Sequence, residues 1–277
     1  KSRGGRRIAV EDPGDRDGRL AVARHGLEVV PIRVDQDGLT VTTLAESNAD
    51  AVFLTPAHHY PTGAVLAPDR RAALMRWAAD RDALILEDDY DAEFRYDREP
   101  IGSMQGLAPE RVIYAGSASK TLAPGLRLGW MVVPEHLVDS LSAIKDANDR
   151  GSSALDQLAF ADFLEHGEFD RHLRRMRPLY RERRDALLAA LGRSLPALRP
   201  TGASAGLHVL AWLPDGVNEP DVVAAAALRG VRVNGVAPTY SDATRAPGGL
   251  VFGYGTATTS EIESGVRLVA EALASLG

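Results

Sequence analysis

The stretch GSASKTLAPGLRLGW, residues 116–130, surrounds a single lysine with hydroxyls. Ser117 stands three residues before Lys120, Arg127 stands seven after it, and Pro124-Gly125 lies between. The stretch follows the apolar run RVIYA (111–115) and leads into LRLGWMVVP (126–134). Such a lysine belongs either to a solvated surface loop or to a site at the end of a strand. The surrounding sequence decides between the two.

Working outward, the chain alternates. RRIAVED (6–12) reads as a buried strand, and RDGRLAVARHG (16–26) as a helix stopped by Gly26. LEVVPIRVD (27–35) and ADAVFLTP (49–56) are apolar runs of strand length. PDRRAALMRWAADRD (68–82) is a helix with Pro68 in its first turn. ALILEDDY (83–90), RVIYAGS (111–117) and LRLGWMVVP complete a set of short, nearly continuous apolar strands. Strands of this kind separated by helices predict a mostly parallel α/β sheet with both faces covered. From about Pro134 the pattern turns helical, through SALDQLAFADFLEHG (153–167) and EFDRHLRRMRPLYRERRDALLAAL (168–191). GLHVLAWLP (206–214), a helix from about Glu219, VRVNGV (231–236), LVFGYG (250–255) and a last helix follow. Thr258 and Glu261 have capping-box spacing for that helix. This predicts a large domain over 1–167 and a small α+β domain over 168–277.

Composition narrows the function. The chain has 277 residues, 45% hydrophobic and 25% charged, with net charge -6. That balance offers no general attraction to nucleic acid or anionic membrane. The absence of cysteine excludes disulfides, thiolate nucleophiles and Cys-ligated metals. No apolar run approaches the ~18 residues of a membrane span, and the start has no signal-peptide pattern. A cytoplasmic location is therefore expected. The opening runs almost directly into a strand, as though the chain began inside a larger protein.

Ligands of open α/β sheets bind at the carboxyl ends of strands. Three polar clusters fall there: TPAHHYPTG (55–63), EDDYDAEFRY (87–96) and GSASK (116–120). A strand-end acid, a strand-end lysine and a nearby arginine suit a cofactor carrying a ring nitrogen, a carbonyl and a phosphate. Pyridoxal 5′-phosphate (PLP) has all three. A buried amine beside an arginine has a lowered pKa, which favours attack on the carbonyl. His58 and His59 suggest metal ligation, but adjacent histidines on an extended segment point apart. No third ligand is evident, and no metal is expected. The arginines from Arg171 to Arg184 read as the wet face of a long helix, with Leu173, Met176 and Leu179 among its apolar positions.

Taken together, TPAHHYPTG, EDDYDAEFRY and SASKTLAPGLRLGW resemble fold-type I, PLP-dependent aminotransferases. More narrowly they resemble the aminotransferase-like domain of MocR-type regulators, a branch of the GntR family of transcription factors. The resemblance covers essentially the whole chain. It makes Lys120 the Schiff-base lysine, pairs Asp88 with the pyridine nitrogen, and brings Tyr90 to the ring oxygen. It gives the phosphate to Ser117, Arg127 and Ser119. Tyr60 takes the place of an asparagine in the aminotransferase loop and is a further cofactor contact. The resemblance also implies a homodimer and a DNA-binding winged helix upstream of this sequence.

This sequence departs from the pattern in specific places. The family's Gly-Ala/Ser-Gln phosphate segment is not in the sequence. Asp15 stands where an aromatic is common, and Asp17 where some relatives have a carboxylate-binding arginine. LVFGYG lacks the other such arginine; Arg245 is the nearest substitute. Loss of an orienting clamp weakens transamination. The expected function is thus effector sensing, with an amine, an amino acid or PLP itself as the signal. The alternative is an aminotransferase of 2-aminoadipate type.

Overall fold

The computed structural model describes residues 6–91, 93–96 and 101–276. The opening five residues, read above as a start within a larger protein, lie outside the described set. Two sheets organise the chain, each with its own core.

The first sheet contains β1 (Arg7–Asp12), β2 (Glu28–Asp35), β3 (Gly38–Leu39), β4 (Ala51–Leu54), β5 (Leu84–Asp89), β6 (Val112–Ser117) and β7 (Gly129–Val132). Their order is β3-β2-β1-β4-β5-β6-β7. Pairing from β2 through β1, β4 and β5 to β6 is parallel, and the edge strands β3 and β7 run antiparallel. Helices α1 (Arg16–Arg24), α2 (Val41–Glu46) and α3 (Pro68–Arg81) make the crossovers. The Asp15 side chain caps α1 by accepting from the Asp17 and Gly18 amides. Gly26 follows α1 at φ 74°, the left-handed conformation that a helix stop requires. Ile32, Val52, Leu54, Leu74 and Ile85 are among the residues that fill this core.

The order β2-β1-β4 carries the functional consequence. After β1 the chain moves to β2 on one side, then crosses back to place β4 on the other. That reversal opens a crevice beyond the carboxyl ends of β1 and β4. Register aligns the neighbouring ends. Asp88 pairs with Ala115 and Asp89 with Gly116. Ser117 pairs with Gly129, so the residues just before β7 share the same rim.

Beyond β7, the one-turn α4 (Ala118–Thr121) having preceded it, come α5 (Val138–Asp149), α6 (Ala154–Glu165) and the long α7 (Glu168–Ser194). The second sheet contains β8 (Arg199–Thr201), β9 (His208–Trp212), β10 (Asn234–Gly235) and β11 (Gly249–Gly253). It is wholly antiparallel, in the order β10-β11-β9-β8. Helix α7 packs on it together with α8 (Glu219–Leu228) and α9 (Thr259–Ala274). The Thr258–Glu261 capping box forms at the start of α9.

The structure corrects some expectations. Arg184 is not on a wet face. It is buried, donates to the Ala203 carbonyl and lies 4.9 Å from the centroid of the Tyr96 ring. Leu179, expected on the apolar face, is 37% exposed. VRVNGV contributes only the two-residue β10, while β3, α2 and β8 were not anticipated. Among the described residues, no helix is long and apolar enough to cross a membrane.

Candidate functional site

The carboxyl rim of the first sheet gathers most of the predicted residues. Asp88 is the next-to-last residue of β5 and is part-buried. Burial first, then the charges of Asp15, Asp89 and Asp91, push its carboxyl up to about 7. Such a group gains from a neighbouring cation, which a protonated pyridine ring supplies. Tyr90 follows two residues on. Its phenol is driven well above the ordinary range by burial and by Asp91 and Asp88. Glu11, one residue before the end of β1, accepts from the Thr55 amide at 2.8 Å and the Thr55 hydroxyl at 2.7 Å. Burial outweighs those bonds and raises its carboxyl to about 7.

Ser117 ends β6, and its hydroxyl oxygen accepts from the Ser119 amide at 3.1 Å. Its own hydrogen stays available for an anion. Ser119 and Lys120 follow on α4. The expectation of a buried lysine is not met: Lys120 is exposed, because α4 carries it off the sheet's rim rather than into the core. Arg127 sits in the left-handed region at φ 52°. Its side chain is exposed and makes no hydrogen bond or ion pair among the described residues. A guanidinium so placed is suited to bidentate contact with a phosphate. Tyr60, on the loop after β4, meets the His208 ring edge-on at 5.1 Å. Arg245 stands apart: it is paired with Asp242 at 3.2 Å, and its side chain is 85% exposed.

The two adjacent histidines diverge. His59 donates from Nε2 to the Pro13 carbonyl at 2.9 Å, and the Thr62 hydroxyl donates to its Nδ1 at 2.7 Å. Burial lowers its pKa to about 3, so it is neutral. His58 turns the other way, to Asp91 at 2.9 Å. His208, from β9, lies with its ring 5.0 Å from His58 and donates from Nε2 to the Pro61 carbonyl at 3.1 Å. Burial lowers its pKa to about 4. Sequence reading found no third ligand beside the histidines, yet one ligand atom each from His58, Asp91 and His208 lie within 4.8 Å of one another. Asp91 and His208 were missed because they lie 33 and 150 positions from His58, although a lone histidine in the apolar run GLHVLAWLP was a visible signal.

The residues present fit PLP. Asp88 offers a carboxyl that a cation would stabilise, Tyr90 a phenol, Ser117 a hydroxyl, and Arg127 an uncommitted fork, with Lys120 just beyond the end of β6 on α4.

The family described as aminotransferase class I and II matches residues 3–229. The HTH-type transcriptional regulator YhdI of Bacillus subtilis is 39% identical over 98% of this chain and 58% of its own length. The pyridoxine biosynthesis regulator PdxR of Corynebacterium glutamicum is 34% identical over 90% of the chain and 54% of its own length. The chain thus spans a little over half the length of these relatives. Among solved structures, kynurenine aminotransferase of Pyrococcus horikoshii superposes with a TM-score of 0.91 at 26% identity, covering 98% of this chain and 70% of the other. LysN, an α-aminoadipate aminotransferase of Thermus thermophilus, gives 0.90 at 27%, covering 98% and 72%. A matching family over most of the chain, and the fold to go with it, mean that this chain belongs to the aminotransferase class I and II family, with the fold-type I architecture of PLP-dependent enzymes.

Proposed function

We propose that this chain is the PLP-holding, effector-sensing domain of a MocR/GntR-type transcriptional regulator. Lys120 is the point of covalent attachment, Asp88 partners the ring nitrogen, and Tyr90 and Tyr60 contact the ring. Ser117, Ser119 and Arg127 hold the phosphate. When bound, PLP supplies an aldehyde that condenses with amines and a ring that withdraws electrons. A winged helix upstream contacts DNA, and the effector is an amine, an amino acid or PLP itself. The regulator relatives, similar over nearly the whole chain, support the sensor reading.

One observation carries the choice of sensor over enzyme: the lip of the site is acidic. Asp15 and Asp17 raise the Tyr60 phenol through their charges, after burial, and Asp15 acts on Asp88 as well. A substrate carboxylate at that lip is repelled, whereas an amine is attracted. Arg245, exposed and paired with Asp242, gives no clamp in its place. Losing one oriented, charge-assisted contact costs roughly 2–5 kcal/mol, or some ~30- to ~4000-fold in rate. Aminotransferase activity is the second reading, favoured by structural neighbours that are enzymes.

The test mixes the complete protein and PLP with a panel of amines and amino acids plus 2-oxoglutarate. The visible spectrum and the keto-acid product are both recorded. Spectral change with little product is expected. Steady turnover at about 1 per second or faster, typical of working enzymes, overturns the sensor reading in favour of the aminotransferase.

A further inference from the structure

His58 and Asp91 have no assigned role, yet they are the most enclosed polar pair near the proposed cofactor ring. Asp91 is 1% exposed and His58 2%. Both Asp91 carboxylate oxygens lie within hydrogen-bond range of one atom, His58 Nδ1, at 3.1 and 2.9 Å. The Tyr90 hydroxyl lies 3.3 Å from that same nitrogen. His58 Nε2 is buried and has no partner.

These contacts fix where the hydrogens sit. An ionised carboxylate only accepts, so Nδ1 carries the hydrogen and donates it to Asp91. Nδ1 then has no lone pair to offer the phenol. Tyr90 can take only a share of the same N–H through its oxygen, and its own hydrogen must point elsewhere. The tautomer also settles the orphan. Nε2 becomes a bare lone pair, and an unmet acceptor is tolerated inside proteins better than an unmet N–H. The second sheet's unit holds the pair in place. A Cβ on Gly206 would lie 2.1 Å from His58 Cε1, 2.4 Å from Nδ1 and 2.5 Å from Asp91 Oδ2. Only a glycine fits there. Its carbonyl is gripped by the Tyr96 and Tyr254 hydroxyls at 2.8 and 2.6 Å.

We propose that Asp91 and His58 form a positioning chain for Tyr90: the carboxylate sets the imidazole tautomer, and the imidazole N–H turns the phenol's hydrogen toward the cofactor ring oxygen. The chain rests on the reading above that Tyr90 faces that ring. It adds a link that reading lacks, because Gly206 backs the chain from the unit carrying the second sheet. A shift of that unit would reach the cofactor through His58 and Tyr90. The titratable groups around the chain are Asp88 and Glu11 on the first sheet, His59 and Tyr60 after β4, His208 on β9 and Lys120 on α4. Among them His208 and His59 are held neutral by burial.

Two measurements on the full-length protein test this. The first needs no cofactor: nitrogen NMR of ¹⁵N-histidine-labelled wild-type protein near neutral pH. A His58 ring protonated at Nδ1 and bare at Nε2 is expected, and the opposite tautomer overturns the chain. The second follows the visible absorption of PLP-loaded protein against pH. A phenol donating to the ring oxygen favours its unprotonated form. His58→Ala and Asp91→Ala are therefore expected to raise the absorption midpoint by about one pH unit, a tenfold change. His58→Asn keeps a donor where Nδ1 was and is expected to return the midpoint to within about twofold. An unmoved midpoint in PLP-loaded His58→Ala overturns the proposal. If the alanine variants fail to fold, the wild-type tautomer still decides. If wild-type protein takes up no PLP, the cofactor reading fails while the tautomer is still measured.

Discussion

At the scale of single residues, the site is built from groups held away from their preferred charge states. Asp88 titrates near 7 rather than near 4, mainly because it is buried and secondly because other acids surround it. A carboxyl raised on folding favours the native state below its unfolded pKa, and that contribution is lost as pH rises through the folded value. In cofactor-free protein, Asp88→Asn is therefore expected to stabilise progressively from about pH 4 to pH 7. After discounting for partial exposure, the gain at pH 8 over pH 4 is roughly 2 kcal/mol. His59 and His208 work in the opposite direction. Their lowered values give stability that is present above about 6.5 and lost as pH falls through about 4 and then 3. The whole-protein curve consequently partly cancels, and only the variant isolates Asp88. Urea unfolding of both proteins at several pH values checks this, and equal offsets at pH 4 and pH 8 would contradict it. The same substitution is expected to weaken PLP binding, since it removes the ring-nitrogen partner. Lys120→Ala has a different signature: PLP can still bind, but the stable visible absorption of covalently held cofactor is expected to be lost. Equal absorbance in wild type and variant would remove Lys120 from its assigned role.

At the scale of elements, two loops meet with no room between them. Gly63 follows the His58–Tyr60 turn, and Gly202 follows β8. A Cβ on Gly63 would lie 2.2 Å from the Gly202 Cα, and both residues have positive φ, at 68° and 78°. Gly63→Ala must therefore separate backbone from backbone as well as strain its own φ. A loss of about 2–4 kcal/mol is expected in chemical denaturation. Gly106→Ala, at a site with nothing within 4 Å, is the control and is expected to cost no more than about 0.5 kcal/mol. A Gly63→Ala variant as stable as this control would show that the loops part freely. This contact also shows what was legible in the sequence. Apart from β3, the strands of the first sheet were readable because each is a compact apolar run ended by turn residues. Helix α9 was readable from its Thr258–Glu261 box. Asp88 and Ser117 were read as strand-end residues, and the strand register has them there, while Lys120 lies beyond the strand on α4. β3 and β8 were not readable because two or three residues carry no periodicity, and β8 includes Pro200. Arg184 was misplaced because helical periodicity marks charged positions as wet. It cannot foresee Tyr96 arriving from far along the chain to cover a guanidinium.

At the scale of the molecule, one face is unfinished. Neither α5 nor α6 buries a residue. Leu155 is 79% exposed, Leu158 67%, and Ile144 and Met131 each 57%. Trp130 of β7 stacks on Phe160 of α6, which meets Phe169 of α7 edge-on, with ring centroids 6.0 and 5.7 Å apart, so this face runs continuously across the three elements. Scattered exposed leucines are ordinary, but a run of them over adjacent elements marks an interface. We propose that a second copy of the chain covers this face in a two-fold dimer, the commonest arrangement of soluble oligomers. The full-length protein is then expected to scatter light as a dimer at micromolar concentration. Burying a leucine contributes about 1.5–3 kcal/mol. Because both copies change, replacing Leu155 and Leu158 by glutamate removes four such contributions, about 6–12 kcal/mol, and adds charges that must be desolvated. The dimer dissociation constant is expected to rise by at least about 10⁴-fold. Neither leucine is buried in the protomer, so the monomer's thermal midpoint should hold, and circular dichroism verifies that. A monomeric wild-type protein at micromolar concentration contradicts the dimer. A double variant that stays dimeric moves the interface elsewhere on the molecule.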